Sequence, residues 1–219
     1  MAKKTYFAVI GDIIGSRKVD DRAGLQRQLN AGLADVNRRY ADQIASEFLL
    51  TIGDEFQGLL RMSKDLDRIL ASLRVAVHPV DLRFGIGVGG LVTPLREQAI
   101  GMDGPCFQRA RAAIERAKER STQIEVECGE AHPGFDIYSL LYSGMRRSWT
   151  ERQRQIIDLS MSGMEGVEIA RLLKVSQPAV SQHLRAAGAA YVREATATWL
   201  LTLVMMANKN TFDEEVTSA

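Results

Sequence analysis

Residues 48–60, Phe-Leu-Leu-Thr-Ile-Gly-Asp-Glu-Phe-Gln-Gly-Leu-Leu, leave the chain few choices. Two apolar, strand-prone runs flank a Gly53-Asp54-Glu55 tip, and a glycine there supplies the backbone freedom of a tight turn. The stretch predicts a β-hairpin with Asp54 and Glu55 at its exposed end. A second segment of the same kind lies near the N-terminus, where the apolar run from Tyr6 to Ile10 ends in Gly11-Asp12 and leads to a Gly15-Ser16-Arg17-Lys18 loop. Two strand-end acids converging beside a basic, glycine-containing loop suit Mg²⁺ and phosphate, because hard cations take carboxylate oxygens and backbone amides cradle phosphate. Taken singly, Asp12 and Asp54 each read as a turn carboxylate capping backbone amides. Arg17 and Lys18 read either as phosphate ligands or as a solvated loop.

The rest of the first half follows by periodicity. Residues 5–11 form a continuously apolar strand, and Leu25, Leu29, Leu33, Val36 and Tyr40 recur at helical spacing within an amphipathic helix over 20–42. After the hairpin of residues 46–61, Leu66, Ile69, Leu70 and Leu73 mark a helix over 63–76 that Pro79 ends. Residues 80–89 alternate at the strand period, and their glycines predict close backbone approach on one face. An Ala- and Arg-rich helix over 106–120 and a short strand over 123–128 complete the unit. The order is βαββαβ with an added helix and strand, which predicts a ferredoxin-like α/β sandwich with helices on one face of an antiparallel or mixed sheet.

With 219 residues, 46% of them hydrophobic and 25% charged, the chain has ample sequence for a core. A net charge of +1 excludes a global electrostatic pull toward nucleic acid or membrane, so any such binding has to come from a local patch. Cys106 and Cys128 lack metal spacing and read as buried thiols in a reducing compartment. Met1-Ala2-Lys3-Lys4 resembles a signal n-region, but the apolar run reaches Asp12 too soon for an h-region, so a cytoplasmic protein is expected. The stretch from Trp199 to Ala207 is far short of the roughly 20 residues that span a bilayer.

Beyond residue 130 the texture changes to helices. Ile137 to Tyr142 reads as a short apolar helix, Thr150 caps the next, and further helices follow at about 166–173 and from Pro178. Residues 166–185 look like a helix-turn-helix, and 149–190 resembles the DNA-binding regions of bacterial sigma factors and response regulators. Lys174 stands where that turn usually has glycine, at a cost of about 1 kcal/mol if it is left-handed. The resemblance implies that Ser176, Gln177, Ser181, Gln182 and Arg185 face DNA. From Arg146 to Arg193 eight Lys or Arg stand against four Asp or Glu, a net of +4 that is only mildly basic. The last helix, about 187–207, is apolar on nearly all sides and must either pack back on the first unit or form a homodimer interface. The acidic tail after Thr211 reads as disordered.

Residues 9–17, 51–58, 83–87 and 101–105, Val-Ile-Gly-Asp-Ile-Ile-Gly-Ser-Arg, Thr-Ile-Gly-Asp-Glu-Phe-Gln-Gly, Arg-Phe-Gly-Ile-Gly and Gly-Met-Asp-Gly-Pro, together resemble the SatD family over most of residues 5–120. More distantly these segments are similar to class III nucleotidyl cyclases and GGDEF diguanylate cyclases. That similarity implies a nucleotidyl-cyclase-type core in which Asp12 and Asp54 bind Mg²⁺ or Mn²⁺, and Ile13 lends a carbonyl. It also implies that Gly15, Ser16 and Arg17 hold a triphosphate and that Arg111 takes the seat of a transition-state arginine. The chain departs from the cyclase pattern at Leu50, Ile52 and Phe107.

The expectation is therefore an α+β protein of two parts. Residues 1–130 form a nucleotidyl-cyclase-like α/β domain, and residues 131–219 a helix-turn-helix domain with a C-terminal packing or dimerisation helix. The function expected is a bacterial regulator coupling a nucleotide and divalent-metal site to DNA binding, with a homodimer and no membrane among its partners. The alternative is a divergent nucleotidyl cyclase or nucleotidyltransferase acting on nucleoside triphosphates.

Overall fold

The computed structural model describes residues 4–217, with side chains described to Lys209. The elements run β1 (Tyr6–Ile14), α1 (Arg22–Arg39), β2 (Ile44–Leu50), β3 (Glu55–Arg61), α2 (Leu66–Val77), β4 (Asp81–Gly89), α3 (Pro105–Arg120), β5 (Ile124–Glu127), α4 (Pro133–Ser148), α5 (Glu151–Met161), α6 (Gly166–Leu173), α7 (Gln177–Ala186) and α8 (Ala189–Thr217). The sheet order is β2-β3-β1-β4-β5, antiparallel throughout except for β5, which runs parallel to β4. The first four strands with α1 and α2 thus have the ferredoxin-like βαββαβ arrangement expected.

β1 is central and buried on both faces, which is why it reads as an unbroken apolar run. Phe7, Val9 and Ile13 join Leu25, Leu29 and Leu33 of α1 and Ile69 and Leu73 of α2 in one cluster. Ala8 and Ile10 face the other way, with Leu59, toward Cys106, Phe107, Ala110 and Ile114 of α3. Helices therefore cover both faces, and the expectation of a one-sided layer is corrected. The cause lies in β4. A side chain at Gly85 or Gly87 would strike the backbone of Ile114, Ala110 or Cys106, so these glycines let α3 lie directly on the strand.

The helical half does not stand apart as a separate all-α domain. The buried cluster that contains the sheet and α2 continues through Phe135, Tyr142, Trp149, Ile157, Trp199, Leu200 and Leu203. A smaller cluster of Ile156, Leu159, Ile169, Ala170 and Val180 joins α5, α6 and α7, with Val75 of α2 against it. α4 is longer than the predicted Ile137–Tyr142, opening with Pro133 in its first turn and running to Ser148. The backbone of α8 stays helical to Thr217, where composition predicted a disordered tail. No helix among the described residues is long and apolar enough to cross a membrane.

A buried ion network fastens the two halves. Arg146 of α4 is 2% exposed and donates to Asp81 of β4 at 2.8 and 3.0 Å and to Asp158 of α5 at 2.7 Å through two nitrogens. Burial works against the Asp81 carboxylate, but the charge and hydrogen bonds of Arg146, with Arg74 behind them, leave its pKa below the usual value. A depressed carboxylate stabilises the fold above its unfolded pKa, about 3.9, and the contribution is lost as pH falls through the lower folded value. Removing the cation strands two carboxylates out of water. Arg146→Leu is expected to lower unfolding free energy by about 3–5 kcal/mol in urea titrations at neutral pH. The deficit should shrink below about pH 4, as Asp81 takes up a proton.

Candidate functional site

The register of β1 assembles the site. Asp12 lies opposite Glu55 on β3 and opposite Arg83 on β4. Side chains two apart on a strand share a face, so Ile10, Asp12, Glu55, Gln57 and Arg83 all point toward α3. Asp54 sits in the turn just before β3, held by the Glu55 amide on the Ile52 carbonyl at 3.0 Å and the Thr51 amide on the Glu55 carbonyl at 2.8 Å. Gly53 in that turn has φ 66, a left-handed conformation that favours glycine. Gln26 of α1 donates to the Gly53 carbonyl at 2.6 Å and buttresses the tip.

Asp12 and Glu55 each have a cation partner. Arg83 Nη1 lies 3.4 Å from both Asp12 oxygens, and Lys118 Nζ lies 3.7 Å from Oδ2. Glu55 is gripped by both Arg111 terminal nitrogens at 2.6 Å. Burial pushes the Asp12 carboxyl up, Arg83 and Lys118 pull it back, and neighbouring Asp54 and Glu55 raise it again, leaving it above the usual value. Burial alone would weaken the Lys118 ammonium, yet Glu115 and Asp12 hold its pKa above that of an ordinary lysine. Arg111 also lines a cavity of about 410 Å³ on the α3 face, with Ile10, Gln57, Met102, Asp103, Phe107 and Gln108.

The loop after β1 supplies the remaining predicted residues. Gly15 is left-handed at φ 75, and Ser16–Lys18 form a single 3-10 turn in which Ser16 is buried while Arg17 and Lys18 are exposed. Asp12, Ile13, Gly15, Ser16 and Arg17 thus sit at the same end of the sheet as Asp54. Among the described residues no group of three or more His, Cys, Asp or Glu is arranged to hold a metal. A divalent cation here would depend on Asp12, Asp54 and the Ile13 carbonyl, completed by phosphate or water oxygens, as Mg²⁺ sites commonly are.

The five residues expected to face DNA lie on and beside α7, away from this cluster in the chain. Ser176 is the α7 N-cap, accepting from the Ala179 amide at 3.3 Å, which gives its hydroxyl a structural task. Gln177, Ser181, Gln182 and Arg185 are exposed. Lys174 ends α6 left-handed at φ 54, as its turn position predicts.

Arg83 has no local mark in the sequence, because its role depends on pairing with Asp12 across 71 residues. Lys118 is one of several basic residues on α3, and spacing alone does not select it. The Arg146 network also goes unannounced, since its carboxylates come from separate elements far apart in the sequence, Asp81 of β4 and Asp158 of α5.

This fold and site define an α+β protein with a ferredoxin-like core and a strand end where carboxylates and cations interleave. The chain belongs to the SatD family, whose sequence pattern matches residues 6–201, well past the motifs that first suggested it. Among solved structures it is similar to a bacterial light-regulated adenylyl cyclase, at 11% identity over 56% of this chain and 75% of that one, with a TM-score of 0.43. It is also similar to the guanylyl cyclase Cya2, at 12% identity over 53% of this chain and 73% of that one, TM-score 0.35. The adenylyl cyclase CyaB from P. aeruginosa matches at 15% identity over 64% of this chain and 81% of that one, TM-score 0.40. Overlaps this loose do not carry residue roles across. No curated protein sequence matches the chain.

Since Arg83 and Lys118 both lower the Asp12 pKa, removing either is expected to raise it further. Carboxyl-carbon NMR titration of Arg83→Met and Lys118→Met checks this. An Asp12 midpoint that does not move in either variant refutes the pairing.

Proposed function

We propose that the sheet half binds a nucleoside triphosphate with Mg²⁺ or Mn²⁺ and belongs to the nucleotidyl cyclase or nucleotidyltransferase class. The observation that carries this reading is the pairing of Asp12 and Glu55 with Arg83, Lys118 and Arg111, with Asp54 close enough to Asp12 to raise its pKa, beside a cavity of about 410 Å³. A metal–polyphosphate is itself a cation joined to an anion. Inserted here, it would exchange the pairs of Asp12 with Arg83 and Lys118 for a carboxylate–metal contact and phosphate–cation contacts, so neither Asp12 nor its cations would be left alone.

In this reading Asp12 and Asp54 hold the metal with the Ile13 carbonyl, and the amides of Gly15 and Ser16, with Arg17, take phosphate oxygens. When bound, the metal would lower the pKa of an attacking hydroxyl and neutralise phosphate charge. Lys118 and Arg83 turn from Asp12 to the phosphates, and Arg111 reaches from the cavity wall toward the transferring group. The cavity volume falls within the roughly 300–1,000 Å³ of small-molecule sites.

Pyrophosphate release from one of the four nucleoside triphosphates with Mg²⁺ or Mn²⁺ is the expected result, reduced at least about a hundredfold in Asp12→Asn. Because Asp12 must ionise to bind metal and its pKa is raised, metal-dependent binding should strengthen with pH to a higher point than an ordinary aspartate would set. Absence of both product and any metal-dependent nucleotide effect on melting, in wild type and Asp54→Ala alike, refutes the reading.

A second function, DNA binding with a regulatory role, is supported by α6 and α7 joined through left-handed Lys174, with Gln177, Ser181, Gln182 and Arg185 exposed. Fluorescence anisotropy on genomic DNA fragments tests it. Gln182→Ala with Arg185→Ala should weaken specific binding by about 1–3 kcal/mol per base contact, and unchanged affinity counts against it.

A further inference from the structure

α4 and α8 lie side by side and antiparallel. Phe135 meets Trp199 at 6.4 Å between ring centroids, Tyr138 shares a hydrogen bond with Thr196 at 2.8 Å, and Trp149 donates to the Ala187 carbonyl at 3.0 Å. One side of α8 is buried through Val192, Thr196, Trp199, Leu200, Leu203 and Ala207. The other side is not, although its apolar composition predicts burial all round. Between the outer faces of the two helices lies a cavity of about 590 Å³, floored by Phe135, Tyr138, Tyr142 and Trp199.

Apolar surface extends beyond the cavity on both helices. Ile137, Leu141 and Tyr191 line it, while Leu140, Leu201 and Met205 lie outside it, and all six are between 49% and 79% exposed. On α4 the positions 137, 140 and 141, and on α8 the positions 201 and 205, follow helical spacing, so each helix carries a continuous outward stripe. Six such side chains at roughly 100 Å² each offer about 600 Å², the upper end of the largest apolar patch on a typical soluble chain. It approaches the ~800 Å² that each partner brings to a standard interface.

We propose that a second copy of this chain docks on this face, α4 and α8 of one protomer packing against α4 and α8 of its partner about a twofold axis to form a four-helix bundle. A small molecule filling the cavity would leave Leu140, Leu201 and Met205 in water. A helix pair bearing the same stripes covers cavity and flanks together, and a twofold contact asks only that the patch complement itself. Charge opposes an anionic lipid surface as the occupant: among the described residues Glu194 lines the cavity and no Lys or Arg does. The dimer goes beyond the nucleotide reading and does not depend on it.

Sedimentation equilibrium of the full chain is expected to give the mass of two chains at micromolar concentration. Leu141→Glu with Met205→Glu changes two exposed positions and should leave the far-UV circular dichroism unchanged while weakening dimerisation by about a hundredfold or more. Val92→Glu, at a position 71% exposed and outside the patch, should leave the dimer intact. A single-chain mass at every concentration overturns the proposal. So does a dimer that survives the double substitution, or native mass spectrometry showing one chain with a small molecule whose binding Leu141→Glu abolishes.

Discussion

Burying Arg146 dictates how the two halves of this chain meet. A guanidinium at 2% exposure has lost its water and can persist only among carboxylates that satisfy its fork. Asp81 comes from the start of β4 and Asp158 from α5, so α4 docks where both acids are within reach. Arg74 adds a second buried cation near Asp81, stacked over the rings of Phe84 and Tyr142 at 4.8 and 5.4 Å. The helical half is thereby locked to the sheet by charge as well as by apolar contact, which is why it shares the main core.

The same strand serves both charge systems. Asp81, at the start of β4, pairs with Arg146, and Arg83, two residues on, pairs with Asp12. Thr122 and Gln123, just before β5, touch both. The Thr122 carbonyl accepts from Arg83 Nε at 3.3 Å, and Gln123 donates to Asp81 at 3.0 Å, while its amide donates to Ser143 of α4 at 2.9 Å. The carboxylate end of the sheet and the docking of α4 therefore share a few adjacent residues.

How much of this could be read in advance follows from the range of each interaction. The hairpin was legible because Gly53 and its apolar flanks lie within a dozen residues, and the helices because their stripes are local. The close approach at Gly85 and Gly87 was legible as well, since glycines on one face of a strand mean little else. Its consequence, α3 on the second face, was not legible, because the βαββαβ order alone leaves the site of an added helix open. Asp12 and Asp54 stood out as acids ending apolar runs, and they do lie at one end of the sheet. Their cations did not stand out, because Arg83 and Lys118 become partners of Asp12 only through strand register and helix placement. Ser176 illustrates the opposite case: its position matched a DNA-reading motif, and the helix needs its hydroxyl as a cap.

The glycine track on β4 also sets a vertical scale. Over Gly85 and Gly87 no side-chain layer separates α3 from the sheet, so main-chain atoms meet main-chain atoms. The height at which Arg111 and Lys118 hang above the carboxylates is then a van der Waals distance between backbones. Side-chain repacking elsewhere in the core has little leverage on it, and the spacing of opposite charges is built into the chain's thinnest seam.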